Sequence, residues 1–360
     1  MCRAGAYQEA LDKIHYDRIY QGQSKVIIHQ LGAYDTNLSV MLEYFPDGDT
    51  TKEPQVNNAA DKTWILNAIG FCFMNLGRLR ETVQFYERAS LSYLEGQDWS
   101  NASSIYRNLA QLHIYLGALE ASAEAAAEAL NLARRADHKF GISQSLSYQG
   151  WTAHLLGELQ SAKDIFNEAE HIEIERHNKQ VSYLYSNRGI FHADHLRRMG
   201  QSDYSRRVTV ENLRDRENRH LINQLSDCHR VLGDLVSDSG NHASARAHYE
   251  SALKIARSIS HRRVLIEALL ARGRFLAKHM KDANTAFSDL NEALGYCIES
   301  GYRIYEADVR VALGWANLAI SSQQSAKTEA ERALQMSNEM GYHWGKVDAK
   351  EVLERIESGE

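Results

Sequence analysis

The chain has 360 residues, of which 44% are hydrophobic and 24% are charged, and its formal net charge is −6. This composition allows a large core, and the acidic balance argues against nonspecific nucleic-acid binding, which needs a basic face. The four cysteines are far apart without a CxxC pair, no apolar run approaches the roughly 20 residues that cross a bilayer, and no signal-peptide core is present, so we expect a cytoplasmic protein.

The N-terminal part of the chain, residues 1–60, lacks the regular pattern of the rest. We expect a helix that begins near Ala6 and one or two further helices within residues 25–45. Both prolines, Pro46 and Pro54, fall in this part. Because proline costs about 3 kcal/mol inside a helix, the proline-free remainder favours uninterrupted helices. We interpret residues 1–60 as a helical cap followed by a loop.

A small residue in an apolar frame recurs seven times, at steps of 39 to 44 residues; we call it the landmark of each repeat. The landmarks are Gly70, Ala110, Gly150, Gly189, Gly233, Gly273 and Gly314. A turn residue usually follows 7 positions later, and small or bulky residues stand 12, 16 and 19 positions later. These offsets mark one stripe of an α-helix. Since one helix pair cannot bury both its faces, the pattern predicts an all-α solenoid of seven antiparallel helix pairs over residues 61–340.

Two repeats depart from this frame. In the fourth repeat the turn at Gly200 comes 11 residues after Gly189, and we expect a first helix that is longer by one turn. Its second helix carries polar residues where apolar ones are usual, which predicts weaker packing, at Ser205, Thr209 and Asn212. The sixth repeat follows the frame with a one-residue slip, at Ala286, Leu290 and Ala293.

The C-terminal residues 341–360 start like another first helix. The landmark position there falls on Glu354, which is polar. A polar residue suits a helix that has no partner on that side, so we expect a capping helix that closes the array.

The frame resembles the tetratricopeptide repeat. The matching pattern in the first repeat consists of Gly70, Phe71, Phe73, Gly77, Tyr86 and Ala89, and the same skeleton recurs in residues 150–169 and 233–252. The resemblance covers residues 60–360 and implies a right-handed superhelix whose first helices line a concave groove. The period near 40 exceeds the usual 34 residues of that family, and the proline that ends its second helix is absent.

A second resemblance covers nearly the whole chain. It rests on residues 5–11, 28–34, 67–72 and 341–346. These segments are similar to the C-terminal repeat region of bacterial signal-transducing ATPases with numerous domains. That resemblance implies a sensor region that a nucleotide-binding switch module precedes in the full-length protein.

The sequence offers little for catalysis or for cofactors. It contains no Gly-x-x-x-x-Gly-Lys-Ser/Thr loop, no dinucleotide fingerprint and no His-Glu-x-x-His motif, so we expect neither a catalytic residue nor a cofactor. His192 and His195 share a helix face beside Asp194, and this arrangement has a metal site as its alternative interpretation. We favour helical histidines without a metal, because no third ligand is evident nearby.

The binding residues are predicted from position relative to the landmark. Residues three before and one after it form one stripe of the first helices, which the tetratricopeptide resemblance places in the groove. From this stripe we expect the partner-binding residues Asn67, Phe71, Arg107, Gln111, Trp151, Arg230, Asp234 and Arg274. Trp, Tyr and Arg dominate interface energetics, and arginines hold carboxylates, so we expect Arg107 with Gln111, and Arg230 with Arg274, to bind those of a peptide. We expect Trp151 to be partly exposed. For Phe71 the alternative to partner binding is a position in the core between two repeats.

The predicted function is therefore a non-catalytic module that binds a protein or peptide, as the sensor or scaffold of a bacterial signalling protein. The alternative is a free-standing adaptor or regulatory subunit that controls a transcription factor or an effector enzyme. Self-association is compatible with both hypotheses. An enzyme would need an acid, a base and a nucleophile that converge, and the sequence indicates none.

Overall fold

The computed structural model describes residues 1–178, 180–280 and 282–358. Within these ranges the regular elements are helices and no strand occurs. The N-terminal part begins with α1, an α-helical turn Tyr7–Glu9 that continues as a π-helix Ala10–Tyr20, followed by α2 (Val26–His29) and α3 (Tyr34–Leu42). No helix of the described ranges combines the length and the apolar character that crossing a membrane requires.

Seven antiparallel helix pairs follow in the described part of the chain. They are α4 (Ala59–Asn75) with α5 (Leu79–Glu95), α6 (Trp99–Tyr115) with α7 (Leu119–Arg135), α8 (Lys139–Leu156) with α9 (Leu159–Arg176), α10 (Asn187–Arg198) with α11 (Ser202–Asn218), α12 (Ile222–Asp238) with α13 (His242–Arg257), α14 (Arg262–Phe275) with α15 (Ala283–Ser300), and α16 (Arg303–Ala319) with α17 (Gln323–Met340). A last helix, α18 (His343–Ser358), packs on α17 and α16. The predicted all-α solenoid is confirmed.

The landmark glycines explain how closely each pair packs. A Cβ added to Gly70 would lie 2.8 Å from the ring of Tyr86, and one added to Gly233 would lie 2.7 Å from the ring of Tyr249. The aromatic ring of the second helix therefore occupies the space that a side chain on the first would need. Alanines of the second helices, such as Ala129, are fully buried against the next repeat.

The fourth repeat corrects one expectation. Its first helix, α10, has 12 residues and is not longer by a turn, so that prediction was wrong. Counting back from the turn at Gly200 makes Ala193 the landmark, and Ala193 is fully buried. The extra residues lie in the non-helical connection after α9. That connection packs on Gly189, where an added Cβ would lie 2.2 Å from the Leu184 carbonyl oxygen.

The polar residues of α11 lie in the interior and have hydrogen-bond partners. Ser205 Oγ donates to the Ala193 carbonyl at 2.7 Å. Asn212 Nδ2 donates to the Leu184 carbonyl at 3.0 Å, while its Oδ1 accepts from the Ser186 amide at 2.7 Å. These side chains are hydrogen-bond partners for backbone groups of α10 and of the connection before it, which explains why α11 has polar residues at these positions.

The one-residue slip of the sixth repeat also has a local explanation. The helix α14 ends in a π-helical turn, Leu276–Met280. A π-turn accommodates one residue more than an α-helical turn, so the extra residue is absorbed before α15 begins. The shifted positions Ala286, Leu290 and Ala293 are then fully buried, as their counterparts in other repeats are.

The superhelix returns on itself, so that early repeats touch late ones. The Ser260 amide donates to the Gly32 carbonyl at 3.1 Å. The Tyr302 hydroxyl donates to the Met74 carbonyl at 3.3 Å. The helix α18 contacts α8, and α16 contacts α6. The concave side of the array is consequently enclosed as an interior.

The N-terminal helices share the core of the repeats. Leu38, Met41 and Tyr44 belong to the same buried apolar cluster as Ile65 and Ile69 of α4. The division of the chain at residues 60 and 340 into a cap, an array and a capping helix stays a prediction.

Candidate functional site

Three adjoining cavities lie inside the superhelix, and we call them together the interior channel. The first has about 120 Å³ that water-sized molecules can occupy, and it shares Trp151 and Tyr305 with the second. It shares Arg198 and Arg274 with the third. Since roughly 10–15 Å³ by this measure admits one water, the first cavity has room for several waters or for a small chemical group.

Trp151 lies where the first two cavities meet. Its ring stacks on Phe191 at 5.1 Å and on His154 at 4.9 Å between ring centroids. The side chain is half-buried, and it packs beside Trp344 of α18 through His154. Trp151 therefore presents part of its ring to the channel while its neighbours fix its orientation.

Two of the predicted arginines hold carboxylates of this chain. Arg230 forms an ion pair with Asp194 at 2.6 Å, and Arg274 forms one with Asp234 at 3.0 Å. Burial by itself raises the pKa of Asp234, but Arg197 and Arg274 lower it below its usual range. Paired in this way, neither arginine has its charge free for a partner.

Arg107 differs from these two arginines. Its guanidinium is buried and donates to Ser103 Oγ at 2.8 Å and to Ser104 Oγ at 2.6 Å. No carboxylate within the described residues forms an ion pair with it, and burial lowers its pKa to about 10. Gln111, one turn further along α6, accepts a hydrogen bond from the Tyr148 hydroxyl at 3.1 Å. Arg107 is thus a buried cation that is hydrogen-bonded only to neutral groups.

The structure places five of the eight predicted partner-binding residues in the lining of the interior channel and three outside it. Gln111, Trp151, Arg230, Asp234 and Arg274 line the interior channel. The other three predicted residues are outside its lining: Asn67, Phe71 and Arg107. Asn67 is half-buried, and Phe71 packs against Tyr34 at 6.0 Å between ring centroids.

Sequence reasoning missed a row of acids that lines the channel. Asp227, Glu267, Asp308 and Asp348 each lie six positions before the landmark of their helix, in the last four first helices. This regular spacing was a readable signal. A fifth acid, Asp194, was missed because the landmark of the fourth repeat was set at Gly189 rather than at Ala193.

The histidines of α10 point to different partners. The His192 ring stacks on Phe166 at 5.0 Å between centroids, while His195 Nδ1 lies 3.2 Å from His154 Nδ1. Asp194 is engaged by Arg230. Among the described residues, no group of three side chains has the arrangement that would hold a metal ion.

Neither a protein-family model nor a curated protein matches the sequence. Solved structures do match the fold. A structure of the APC/C hetero-tetramer Cut9-Hcn1 has a TM-score of 0.59 at 11% identity, over 98% of this chain and 58% of that one. The Rap conjugation gene regulator of plasmid pLS20, in complex with the Phr* peptide, has a TM-score of 0.56 at 13% identity, over 84% and 82%.

A third similar structure is a signal transduction ATPase with numerous domains from Pyrococcus horikoshii, which has a tetratricopeptide repeat sensor. Its TM-score is 0.50 at 13% identity, over 87% of this chain and 45% of that one. The chain thus spans about half the length of two of these proteins. At such identities the likeness concerns the fold, and the chain has the α-solenoid fold of tetratricopeptide-repeat proteins.

Proposed function

We propose that the chain is a non-catalytic module that binds a peptide or a protein segment on the concave side of its superhelix. The observation that carries this proposal is the chemistry of the interior channel. Its lining combines half-buried aromatic rings with charged side chains, as at Trp151, Arg274 and Asp308. A superhelix stabilised only by its core would close with apolar groups, since burying charges is costly.

The similar structures support the same proposal. The Rap regulator of plasmid pLS20 was solved with a bound peptide, and the Pyrococcus horikoshii protein uses its repeats as a sensor. The role as sensor of a larger bacterial signalling protein, with a nucleotide-binding module before it, is part of this proposal. The Cut9-Hcn1 hetero-tetramer, a protein assembly, favours the alternative of an adaptor subunit.

Arg107 is the residue that we expect to hold a carboxylate of the partner. Arg230 and Arg274 already pair with Asp194 and Asp234. Arg107 lies outside the channel lining, one turn before Gln111, which is part of that lining. Its acceptors among the described residues are serine hydroxyls, so a carboxylate that reached past Gln111 would gain a charge-assisted hydrogen bond from Arg107 without displacing an acid of this chain.

Trp151→Ala tests whether the bound segment enters the channel. Peptides would first be selected on the wild-type chain from a display library of random heptapeptides, and their dissociation constants measured by calorimetry. We expect Trp151→Ala to weaken binding at least about tenfold, because a buried aromatic anchor contributes about 1.4 kcal/mol or more. Trp99→Ala is the matched control, since Trp99 is half-buried under Arg135 and away from the channel. Equal affinity in a folded Trp151→Ala variant would contradict binding in the channel.

Arg107→Met tests the carboxylate contact separately. We expect it to weaken binding of peptides that have a free α-carboxylate by about tenfold, and amidation of the peptide should have the same effect. Because both changes remove one contact, their combination should add little. Arg257→Met is the control, as Arg257 pairs with Glu292 at the exposed surface. If amidation weakens binding equally in wild type and variant, another residue holds the carboxylate.

A further inference from the structure

The interior channel has more acidic than basic side chains. Six basic residues line it: Arg197, Arg198, Arg230, Arg263, Arg274 and Lys278. Eight acidic residues line it: Asp194, Asp227, Asp234, Asp238, Glu267, Asp308, Asp348 and Glu351. The lining therefore carries two negative charges in excess when all these groups are ionised.

Asp308 is the acid in this lining without a basic partner among the described residues. The other seven all lie within 3.0 Å of an arginine or lysine nitrogen. Asp308 Oδ2 accepts a hydrogen bond from the Tyr342 hydroxyl at 3.3 Å. Burial and, after it, the neighbouring carboxylate of Asp348 raise the pKa of Asp308 to about 7, although the hydrogen bond from Tyr342 and the charges of Arg274 and Arg198 act in the opposite direction.

A second acceptor faces the same cavity. Asp234 Oδ2 is buried and has no hydrogen-bond partner, although Arg230 lies 3.5 Å away. Asp234 lines the first cavity together with Asp308. Arg197 and Arg274 also flank Asp234, so its charge is compensated and its unbonded oxygen is an acceptor for a bound group without requiring a further cation. The carboxylate whose charge has no basic partner among the described residues of this cavity is that of Asp308.

We infer that the cavity beside Asp308 binds a compact primary ammonium group. Because the Tyr342 hydroxyl donates to Oδ2, Oδ1 is the oxygen of Asp308 that is open to a further donor. A contact through one oxygen suits an ammonium, which is a point charge, whereas the planar fork of a guanidinium would bind both oxygens and compete with Tyr342. Trp151 and Tyr305 in the same wall provide apolar surface for the carbon chain that carries the ammonium.

Two kinds of ligand carry an ammonium group of this chemistry. One is a free alkylamine, and the other is a lysine side chain of the segment that the proposed function places in this channel. If the ammonium belongs to a lysine of the bound segment, the inference rests on the proposed function and specifies a side chain of that segment. The site itself is testable without any peptide, so its failure and that of the proposed function are distinguishable.

The first probe is n-butylammonium chloride, with n-butanol as its neutral isostere, titrated at pH 8 and followed by tryptophan fluorescence and saturation-transfer NMR. We expect millimolar binding of butylammonium and at least tenfold weaker binding of butanol. Asp308→Asn should weaken butylammonium binding at least tenfold. The matched control is Glu211→Gln, which removes one negative charge on the exposed face of α11, outside the channel, and should leave binding unchanged.

The pH dependence gives a readout that a merely structural role would not produce. Between pH 6 and pH 8 the affinity of the wild type for butylammonium should rise, because Asp308 ionises over this range, and Asp308→Asn should abolish that rise. Equal binding of butanol, or unchanged butylammonium binding by Asp308→Asn, would overturn the inference.

A second probe separates the two sources. Nα-acetyl-lysine N-methylamide presents the same ammonium on a peptide unit. Binding of this probe that is lost in Asp308→Asn supports a lysine of the partner. If the channel takes butylammonium but excludes the lysine derivative, the ammonium site stands and the lysine source is overturned.

Discussion

Asp308 links the stability of this fold to pH at the scale of a single residue. Its carboxyl group is half-buried beside Asp348 and has the pKa of about 7 that this environment imposes. The unfolded chain has the ordinary aspartate value near 3.8, so between these values the folded state binds more protons than the unfolded state. Folding stability therefore falls as the pH rises through this window.

Asp308→Asn should remove the loss of folding stability that accompanies the rise in pH. We expect the variant to gain on the order of 1–3 kcal/mol over wild type at pH 8, and little at pH 4, because the neutral amide avoids burying a charge. The measurement is the free energy of unfolding by urea at both pH values. Glu351→Gln, at the exposed rim of the channel, serves as the control. A gain that is the same at both pH values would show that ionisation of Asp308 is not its cause.

Polar packing distinguishes one element, α11, from the second helices of the other repeats. Asn212 connects α11 to the backbone just before the start of α10, through Leu184 and Ser186. Its amide replaces the alanine that the repeat frame has at this position. The polar group is kept because the extra residues before α10 leave backbone groups inside the protein that need partners.

Asn212→Ala should therefore destabilise the fourth repeat although alanine is the usual residue there. We expect a loss of about 2–3 kcal/mol, since a buried amide and a buried carbonyl lose their partner. Unfolding by urea gives the total loss, and hydrogen exchange of residues 183–190 gives its location. Glu211→Ala is the control on the exposed face of the same helix, where Glu211 pairs with Arg214. Unaltered exchange of this segment would contradict the role of Asn212.

Closure of the superhelix is a property of the whole molecule. The turns after α4, α6 and α8 pack on residues of the last repeats. An added Cβ at Gly77 would lie 2.8 Å from Ser300 Oγ, and one at Gly157 would lie 2.7 Å from the ring of His343. Arg198 of α10 and Asp348 of α18 form a further contact of this kind, at 2.6 Å. The interior channel exists because these contacts hold the two ends of the array together.

Gly157→Ala tests closure, and Gly200→Ala is its control. Both glycines have a positive φ, of 87° and 74°, but nothing lies within 4 Å of a Cβ added to Gly200. The backbone strain of roughly 1 kcal/mol is common to both variants. We expect Gly157→Ala to lose about 1–3 kcal/mol more, because the α18 contact must move. Thermal unfolding measures the difference, and equal losses would contradict closure through this turn.

The sequence by itself determined the helix pairs, their turns and the residues that face inward. These features follow from the spacing of small and apolar residues within each helix pair, and the same spacing recurs in the other repeats. Periodicity also explains the error in the fourth repeat. Gly189 and Ala193 are both small, and because they are four residues apart, about one helical turn, they lie on the same face of the helix. The turn at Gly200, seven residues after Ala193, and the non-helical connection before α10 distinguish them.

The tertiary structure alone decided which charges meet. Arg198 and Asp348 are 150 residues apart in the chain, and their ion pair depends on how far the superhelix has turned after several repeats. That turn accumulates from small packing angles between neighbours, which the spacing of apolar residues does not record. The same closure pairs Arg198 with Asp348 and leaves Asp308 without a base among the described residues. That five of the eight predicted residues face the channel was therefore readable from the sequence, whereas the pairing of the charges there was not, and their role in binding stays a prediction.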